Sequence, residues 1–322
     1  MSTHSVRVVR LGPITPHPNA DTLGVTKIDG YTVIVRTSDW REGDFGVYVE
    51  PDYVVPEAPW SEFLKGHRRI KVRKLRGIYS QGLLLPLADV SLSGSSEGDD
   101  VMAALGIIRW QPPEAHGDDA PPPVCAEGLA SYDVENWRKF RHLIPTDEPT
   151  VVTEKLHGES ARFVFDEERM HAGSRTRWKK LESSTSWAVA LRSCQWIEAW
   201  CRAHPRDILY GEVFGNVPKM AYGVRPGDRS FLAFDVWSEG RWLDWDEFCA
   251  VVPVQHRVPV IAECMHGDVT EALAEGVSTL APHVREGIVV KTRRETVLRS
   301  DEEEFLRGAL KCIGNGYYEK SD

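Results

Sequence analysis

The sequence has no run of 18 or more apolar residues, so no part of it is built to cross a membrane as a helix. It has no Cys-x-x-Cys pair. Its six cysteines (Cys125, Cys194, Cys201, Cys249, Cys264 and Cys312) are scattered, which argues against a structural zinc site and for reduced thiols. The start, Met1-Ser2-Thr3-His4, lacks a basic stretch followed by an apolar one, so no secretory leader is expected and a cytoplasmic location is. Positive charge is short as well. A formal net charge of −9 excludes a wholly basic nucleic-acid coat, so any contact with a polyanion must be local. A regular strand–helix alternation is also missing, which argues against a doubly wound parallel sheet.

What is present fits two domains, since 322 residues can build two cores of ordinary size. Residues 1–90 read as short strands. Val6–Val9 alternates, Gly24–Ile28 and Tyr31–Val35 flank an Asp29-Gly30 hairpin turn, and Gly46–Val49 and Gln81–Leu85 continue the pattern. Many short strands separated by turn signals predict a small β-barrel. Within it, Arg69, Lys71 and Arg73 would share one face of a strand, with Ile70 and Val72 on the other. Such a row of cations is a candidate groove for a phosphate backbone, or else a solvated edge strand. Residues 91–129 are polar and rich in Pro, Gly and Ser, a composition expected of a linker.

Residues 130–322 mix strands and amphipathic helices irregularly. Arg162–Phe165 reads as a strand. Ser183–Ala203 reads as one helix, with Trp187, Leu191, Cys194, Ile197 and Cys201 on one face. Asp244-Trp245-Asp246-Glu247 has the capping-box spacing. The fold class expected is α+β, with largely antiparallel sheets in the second domain.

The stretch Thr153–Ser160 contains Lys155-Leu156-His157-Gly158 just after an apolar run. A lysine there can attack phosphorus, and Gly158 would let the backbone approach a phosphate. Lys-x-x-Gly alone is weak, since it occurs at Lys27, Lys74, Lys155 and Lys311. What singles out Lys155 is the ordered series after it: Gly173-Ser174-Arg175-Thr176, Tyr210-Gly211-Glu212, Phe231–Trp237, Glu286-Gly287-Ile288-Val289-Val290-Lys291, and Leu310-Lys311-Cys312. Over roughly residues 130–315 this series resembles the nucleotidyltransferase motifs of ATP-dependent polynucleotide ligases and capping enzymes. His157 stands where DNA ligases and capping enzymes usually carry Asp, which points to RNA ligases. Pro16–Leu23 resembles the entry to tRNA-binding-type OB domains, and a barrel ahead of the motifs, with eleven residues after Lys311, resembles the Deinococcus-type RNA ligases.

The resemblance implies a small N-terminal OB-type β-barrel followed by an ATP-grasp-like nucleotidyltransferase domain. It implies ATP as substrate, Mg2+ or Mn2+, and nicked double-stranded RNA or an RNA/DNA hybrid as partner. Lys155 would take the AMP, while Lys291 and Lys311 would offset charge on the α-phosphate and depress the Lys155 pKa. Glu286, and with it Asp235, would serve a metal ion. Glu154 would read the adenine amino group, Phe234 would stack on the base, Glu212 would accept from the ribose hydroxyls, and Arg175 would contact the ribose or the end of the nicked strand. Two alternatives remain open at this stage: a non-catalytic RNA- or tRNA-binding protein with a degenerate nucleotidyltransferase fold, and a GTP-using capping-type guanylyltransferase.

Overall fold

The structure, a computed structural model, describes residues 5–110, 118–127, 129, 132–300 and 305–318, which fall into two units, 5–110 and 118–318. Met1–His4 and the Gln111–Pro113 start of the proline-rich stretch lie outside the described residues.

The first unit contains β1 (Arg7–Arg10), β2 (Thr15–His17), β3 (Ala20–Ile28), β4 (Tyr31–Arg36), β5 (Phe45–Val49), β6 (Tyr53–Val54), β7 (Arg73–Leu75), β8 (Ile78–Ser80), β9 (Leu83–Pro86) and β10 (Ile108–Arg109). They pair as β1-β5-β9, β2-β3-β4, β6-β10 and β7-β8. The β3–β4 hairpin closes through Asp29 and Gly30 with φ of 49° and 80°, the two left-handed residues that a type I′ turn requires. β5 is buried on both faces. Val47 and Val49 pack with Val6, Val8 and Leu85, and Tyr48 packs with Leu11, Val33 and Trp40. The Pro16–Asn19 stretch pins the β7–β8 turn: His17 Nε2 lies 3.2 Å from the Leu75 carbonyl, and the Asn19 amide donates to the Arg76 carbonyl at 2.9 Å.

The expected linker is not one. Val101, Leu105 and Ile107 are buried in the first unit's core, and β10 pairs with β6. Farther on, Asp119–Ala120 joins a sheet of the second unit, where Ala126 is also buried. The polar residues dominate the average composition, but three apolar side chains suffice to anchor the segment. Arg69–Arg73 is likewise not a single strand. Arg69 forms an isolated bridge to Val54 and β7 begins only at Arg73, though the alternation holds, with Ile70 and Val72 buried and Lys71 and Arg73 exposed.

The second unit has two sheets. β11 (Asp119–Ala120), β14 (Glu159–Phe165), β15 (Met170–Ser174), β16 (Trp178–Lys179), β17 (Ile208–Phe214), β20 (Ser230–Ser238) and β21 (Arg241–Trp242) form one, in the order β11-β16-β15-β14-β17-β20-β21. β12 (Glu135–Asn136), β13 (Pro149–Lys155), β22 (Val260–Met265), β23 (Gly287–Thr292) and β26 (Ala309–Ile313) form the other, in the order β12-β26-β23-β13-β22. Small hairpins join β18 (Asn216–Val217) to β19 (Met220–Ala221) and β24 (Val297–Arg299) to β25 (Phe305–Arg307). Within the two large sheets only β12–β26 is parallel, so the antiparallel α+β expectation holds.

After the short α1 (Trp137–Phe140), the expected helix is two, α2 (Ser186–Ser193) and α3 (Gln195–Ala203). Cys194 leaves helical geometry (φ −111°, ψ 79°), and the bend keeps Ala190 and Ile197 in one core beneath the seven-stranded sheet. α4 (Trp245–Val251) starts at the expected capping box, where the Asp244 N–H donates to the Glu247 carboxylate at 2.9 Å. Among the described residues no helix is long and apolar enough to cross a membrane.

Candidate active site

Lys155 is the last residue of β13 and pairs across the ladder with Gly287 of β23. Glu286, one residue before β23, therefore stands beside it, and the Lys155 Nζ lies 2.5 Å from Glu286 Oε1. The other Glu286 oxygen faces His157 Nδ1 at 3.3 Å. His157 is held in turn by the Tyr317 hydroxyl, 3.0 Å from Nδ1, and by its own N–H, which donates to the Tyr222 hydroxyl at 2.9 Å. These contacts tie the His157 backbone and ring to Tyr222, Tyr317 and Glu286. Gly158 also packs closely on β17. A Cβ there would lie 2.2 Å from the Val213 carbonyl oxygen and 3.0 Å from Glu212 Cγ, so only glycine lets the loop lie against β17.

The electrostatics reverse one expectation. Burial works to lower the Lys155 pKa, but the Glu286 and Glu212 carboxylates outweigh it and hold the ammonium above its usual range. Burial likewise opposes ionisation of Glu286, yet Lys155 and His157 keep its carboxyl below the usual range. Glu212 is pushed up to about 8 by burial, with Glu286 and Glu159 adding to the effect and Lys155 relieving part of it. Neighbouring lysines do not depress Lys155. The ladder shows why: Lys291 pairs with Val151, four residue pairs from the Lys155–Gly287 pair and roughly 13 Å away along the strands. Lys155, Lys291 and Lys311 do share one face of the five-stranded sheet, because Lys311 pairs with Val289, which pairs with Thr153.

Lys291 and Asp235 meet across the gap between the two sheets, Nζ to Oδ1 at 2.7 Å. The second Asp235 oxygen contacts the Tyr132 hydroxyl at 3.2 Å and Arg307 Nη2 at 3.0 Å, and Arg307 is also gripped by both oxygens of Glu295. Burial alone would raise the Asp235 pKa, but Arg307 and Lys291 draw it down. With 0% exposure and both oxygens committed, Asp235 is an ion-pair hub and does not fit the metal role expected of it. Among the described residues no three His, Cys, Asp or Glu side chains form a metal cluster by themselves. Glu286 and Glu212 nevertheless fit a cation held jointly with phosphate oxygens, since the buried Glu286 and the half-buried Glu212 both act on Lys155 and on each other.

Glu154 is 2% exposed and oriented. One oxygen accepts from the Thr279 N–H at 2.8 Å and from its hydroxyl at 2.6 Å, while Oε1 is buried without a hydrogen-bond partner. Phe234 is half-buried and packs against Tyr132, with ring centroids 4.9 Å apart. Glu212 pairs with Ser160 across β14–β17 and faces the Lys155 side. Arg175 and Lys311 flank Asp133, at 3.5 Å and 3.9 Å. Sequence reasoning missed Thr279, Asp133, Tyr132 and Arg307; none belongs to a spaced motif, and each meets its partner only through the tertiary fold.

In the first unit, Arg69 is engaged. Its guanidinium bonds Asp52 at 2.6 Å and 3.0 Å and lies 3.4 Å from the Trp110 ring centroid. Of the expected cationic row, Lys71 and Arg73 are the members that stay exposed.

A family model described as RNA ligase matches residues 148–313, and one described as PHA02142 OB-fold domain matches residues 5–87. Among solved structures, a mutant of the Naegleria gruberi RNA ligase with ATP and Mn is similar at TM-score 0.81 and 24% identity, covering 98% of this chain and 99% of that one. A second mutant of that enzyme, with AMP and Mn, gives 0.78 at 25% identity, covering 98% of each chain. Among curated proteins, the phenylalanine–tRNA ligase beta subunit of Anaeromyxobacter dehalogenans is 34% identical over 98 residues, 29% of this chain. The one from Synechocystis is 35% identical over 97 residues, 30% of this chain. The chain spans only 11% and 12% of the length of those two proteins. By the match of its second unit, the chain belongs to the RNA ligase family.

Proposed function

We propose that the protein is an ATP-dependent RNA ligase that seals 3′-OH/5′-phosphate nicks in duplex nucleic acid through an AMP-modified Lys155. One observation carries this reading: Lys155 is held at 2.5 Å by Glu286, with Glu212 acting on both, where two sheets converge. The similar Naegleria structures with ATP, AMP and Mn support adenylyl chemistry at such a site.

In the free protein the Lys155 ammonium is held protonated by its two carboxylates. The attacking amine must be neutral, so these carboxylates must first be drawn away. A divalent cation held by Glu286 and Glu212 with the triphosphate would supply charge neutralisation at the phosphate oxygens. Lys155 must then release its ammonium proton to solvent. Its nitrogen then bonds the α-phosphorus as the bond to pyrophosphate breaks. AMP next passes from Lys155 to the 5′-phosphate, and the 3′-oxygen displaces AMP to join the strands. Lys311 and Arg175, on either side of Asp133, would face the reacting phosphate and strand end.

The unpartnered Glu154 oxygen favours ATP over GTP, because the adenine amino group donates a hydrogen bond where guanine presents an accepting oxygen. The substrate in this reading is nicked double-stranded RNA or an RNA/DNA hybrid. The first unit contributes to its grip through the exposed Lys71 and Arg73. Six free cysteines accord with a reducing cytoplasm.

The test is covalent labelling. Protein incubated with α-labelled ATP and Mg2+ or Mn2+ should retain label through denaturation, Lys155→Ala should not, and labelled GTP should transfer little. An unlabelled, folded wild type would overturn the assignment.

A further inference from the structure

The sheet face that carries Glu212 continues beyond it. Ser160 pairs with Glu212, and two residue pairs along, roughly 7 Å away, Arg162 pairs with Tyr210. Arg162 also pairs with Gly173, and Gly173 with Trp178. Arg175 stands two residues beyond Gly173, back toward the Ser160–Glu212 row.

Arg162 is 4% exposed, yet its Nε has no hydrogen-bond partner, and no carboxylate pairs with its guanidinium among the described residues. The neighbouring Tyr210 hydroxyl, equally buried, answers the guanidinium from within the sheet, but a neutral hydroxyl leaves the charge uncompensated. The guanidinium lies 4.3 Å from the centroid of the Trp178 ring, which supports it from one side. Gly173 makes room for this arrangement: a Cβ there would lie 3.2 Å from Arg162 Nε and 3.1 Å from Trp178 Cε3. Burial of an uncompensated guanidinium is costly, and here it pushes the Arg162 pKa down. A side chain kept under that penalty calls for an anion from outside the chain.

The space to receive one is present. Arg162 lines a cavity of about 400 Å³ together with Trp178, Thr176, Arg177 and Asp119, with the exposed Glu127 at its edge. Asp119 is already shared by Arg177 and Lys179, at 2.7 Å each, so it is committed to those two cations. The walls carry two guanidinium groups, Arg162 and Arg177, and two carboxylates, Asp119 and Glu127. With Asp119 tied to Arg177 and Lys179, Arg162 is the wall cation that no carboxylate pairs among the described residues, and Thr176 ends the Gly173–Thr176 motif that Arg177 follows.

We infer that this cavity is a second anion site, distinct from the Lys155 centre, and that it takes a phosphate group of the nucleic-acid strand beside the reacting end. The inference rests on the RNA ligase reading. Arg162 is on this account a substrate-positioning residue whose fork of donors suits phosphate oxygens.

The test uses the full chain. Binding of a nicked RNA duplex, without ATP, is measured against salt concentration for wild type, Arg162→Met and Arg162→Lys, alongside self-adenylylation and thermal unfolding with and without inorganic phosphate. Arg162→Met should bind RNA roughly tenfold more weakly, lose about one from the slope of log K against log salt, and label with ATP as wild type does. It should also fold at least as stably, since the uncompensated charge is gone. Arg162→Lys keeps the charge without the fork and should retain the slope with weaker binding; it carries the test if Arg162→Met fails to fold. RNA affinity equal to wild type in the folded variants overturns the proposal. So does a phosphate-induced rise in melting temperature that Arg162→Met abolishes while its RNA slope stays intact, because the occupant is then free phosphate. Loss of ATP labelling by the wild type itself would instead overturn the ligase reading.

Discussion

Lys291 and Asp235 form a buried ion pair, 2.7 Å from Nζ to Oδ1, that joins the five-stranded sheet to the seven-stranded one. Asp235 also answers Arg307, so a single carboxylate compensates two cations. Removing it leaves both charges buried, with Glu295 still answering only Arg307. Asp235→Ala is therefore expected to destabilise the protein by roughly 3–5 kcal/mol, read as a lowered urea midpoint. If Asp235 instead served the metal, folded Asp235→Ala would need far more Mn2+ for half-maximal self-adenylylation. The ion-pair role predicts an unchanged requirement.

Glu212 sets a pH dependence of stability. Its folded pKa, about 8, lies above the ordinary 4.5, so folding favours the protonated form. Its stabilising contribution is fully present below about pH 4.5 and is lost as pH rises through about 8. Without nucleotide or metal, the melting temperature of the wild type should fall across that window. Glu212→Gln, which cannot titrate, should flatten the decline. Parallel curves for the two proteins would show that Glu212 is not protonated on folding.

Much of this site is readable along the chain, because its motifs are local. Val151-Val152 announces a strand, Lys155 and Gly158 sit at its end, and Glu286 comes just before a second apolar strand that pairs with the first. Local spacing does not say which charges meet. Lys155, Lys291 and Lys311 look like one cationic cluster in the sequence, yet the ladder register separates Lys155 from Lys291 by four residue pairs and gives each an acidic partner. Thr279 lies 125 residues from Glu154, and Tyr132 lies 103 from Asp235; no periodicity encodes such pairings. The linker misreads for a related reason: three buried side chains, Val101, Leu105 and Ile107, decide the packing of a segment whose composition is polar.

Thr279 orients Glu154, the residue proposed to read the base. Its N–H and hydroxyl occupy one Glu154 oxygen and leave Oε1 without a partner. Thr279→Val removes the hydroxyl bond at nearly constant volume. Hydrogen bonds to charged groups contribute roughly 1.5–3 kcal/mol, so KM for ATP in self-adenylylation should rise about tenfold or more, with kcat changed less. Preference for ATP over GTP should narrow, and Thr279→Ser should restore both. A Thr279→Val enzyme with wild-type KM and selectivity would leave Thr279 only a loop-packing role.

The basic stretch of the first unit divides into residues with different duties. Arg69 is bound by Asp52 and lies over Trp110, so its truncation should cost that unit stability, about 1 kcal/mol for a half-exposed pair with a ring contact. Lys71 and Arg73 are exposed, and they flank the buried Val72 that fixes which way they point. If they grip the phosphate backbone, the Lys71→Ala/Arg73→Ala double variant should bind nicked RNA more weakly. It should lose about two from the salt slope, one for each phosphate contact. Self-adenylylation, proposed to take place at Lys155 in the second unit, should proceed at the wild-type rate. Equal loss of labelling and sealing would indicate misfolding, and an unchanged salt slope would mark the pair as the solvated edge of a barrel.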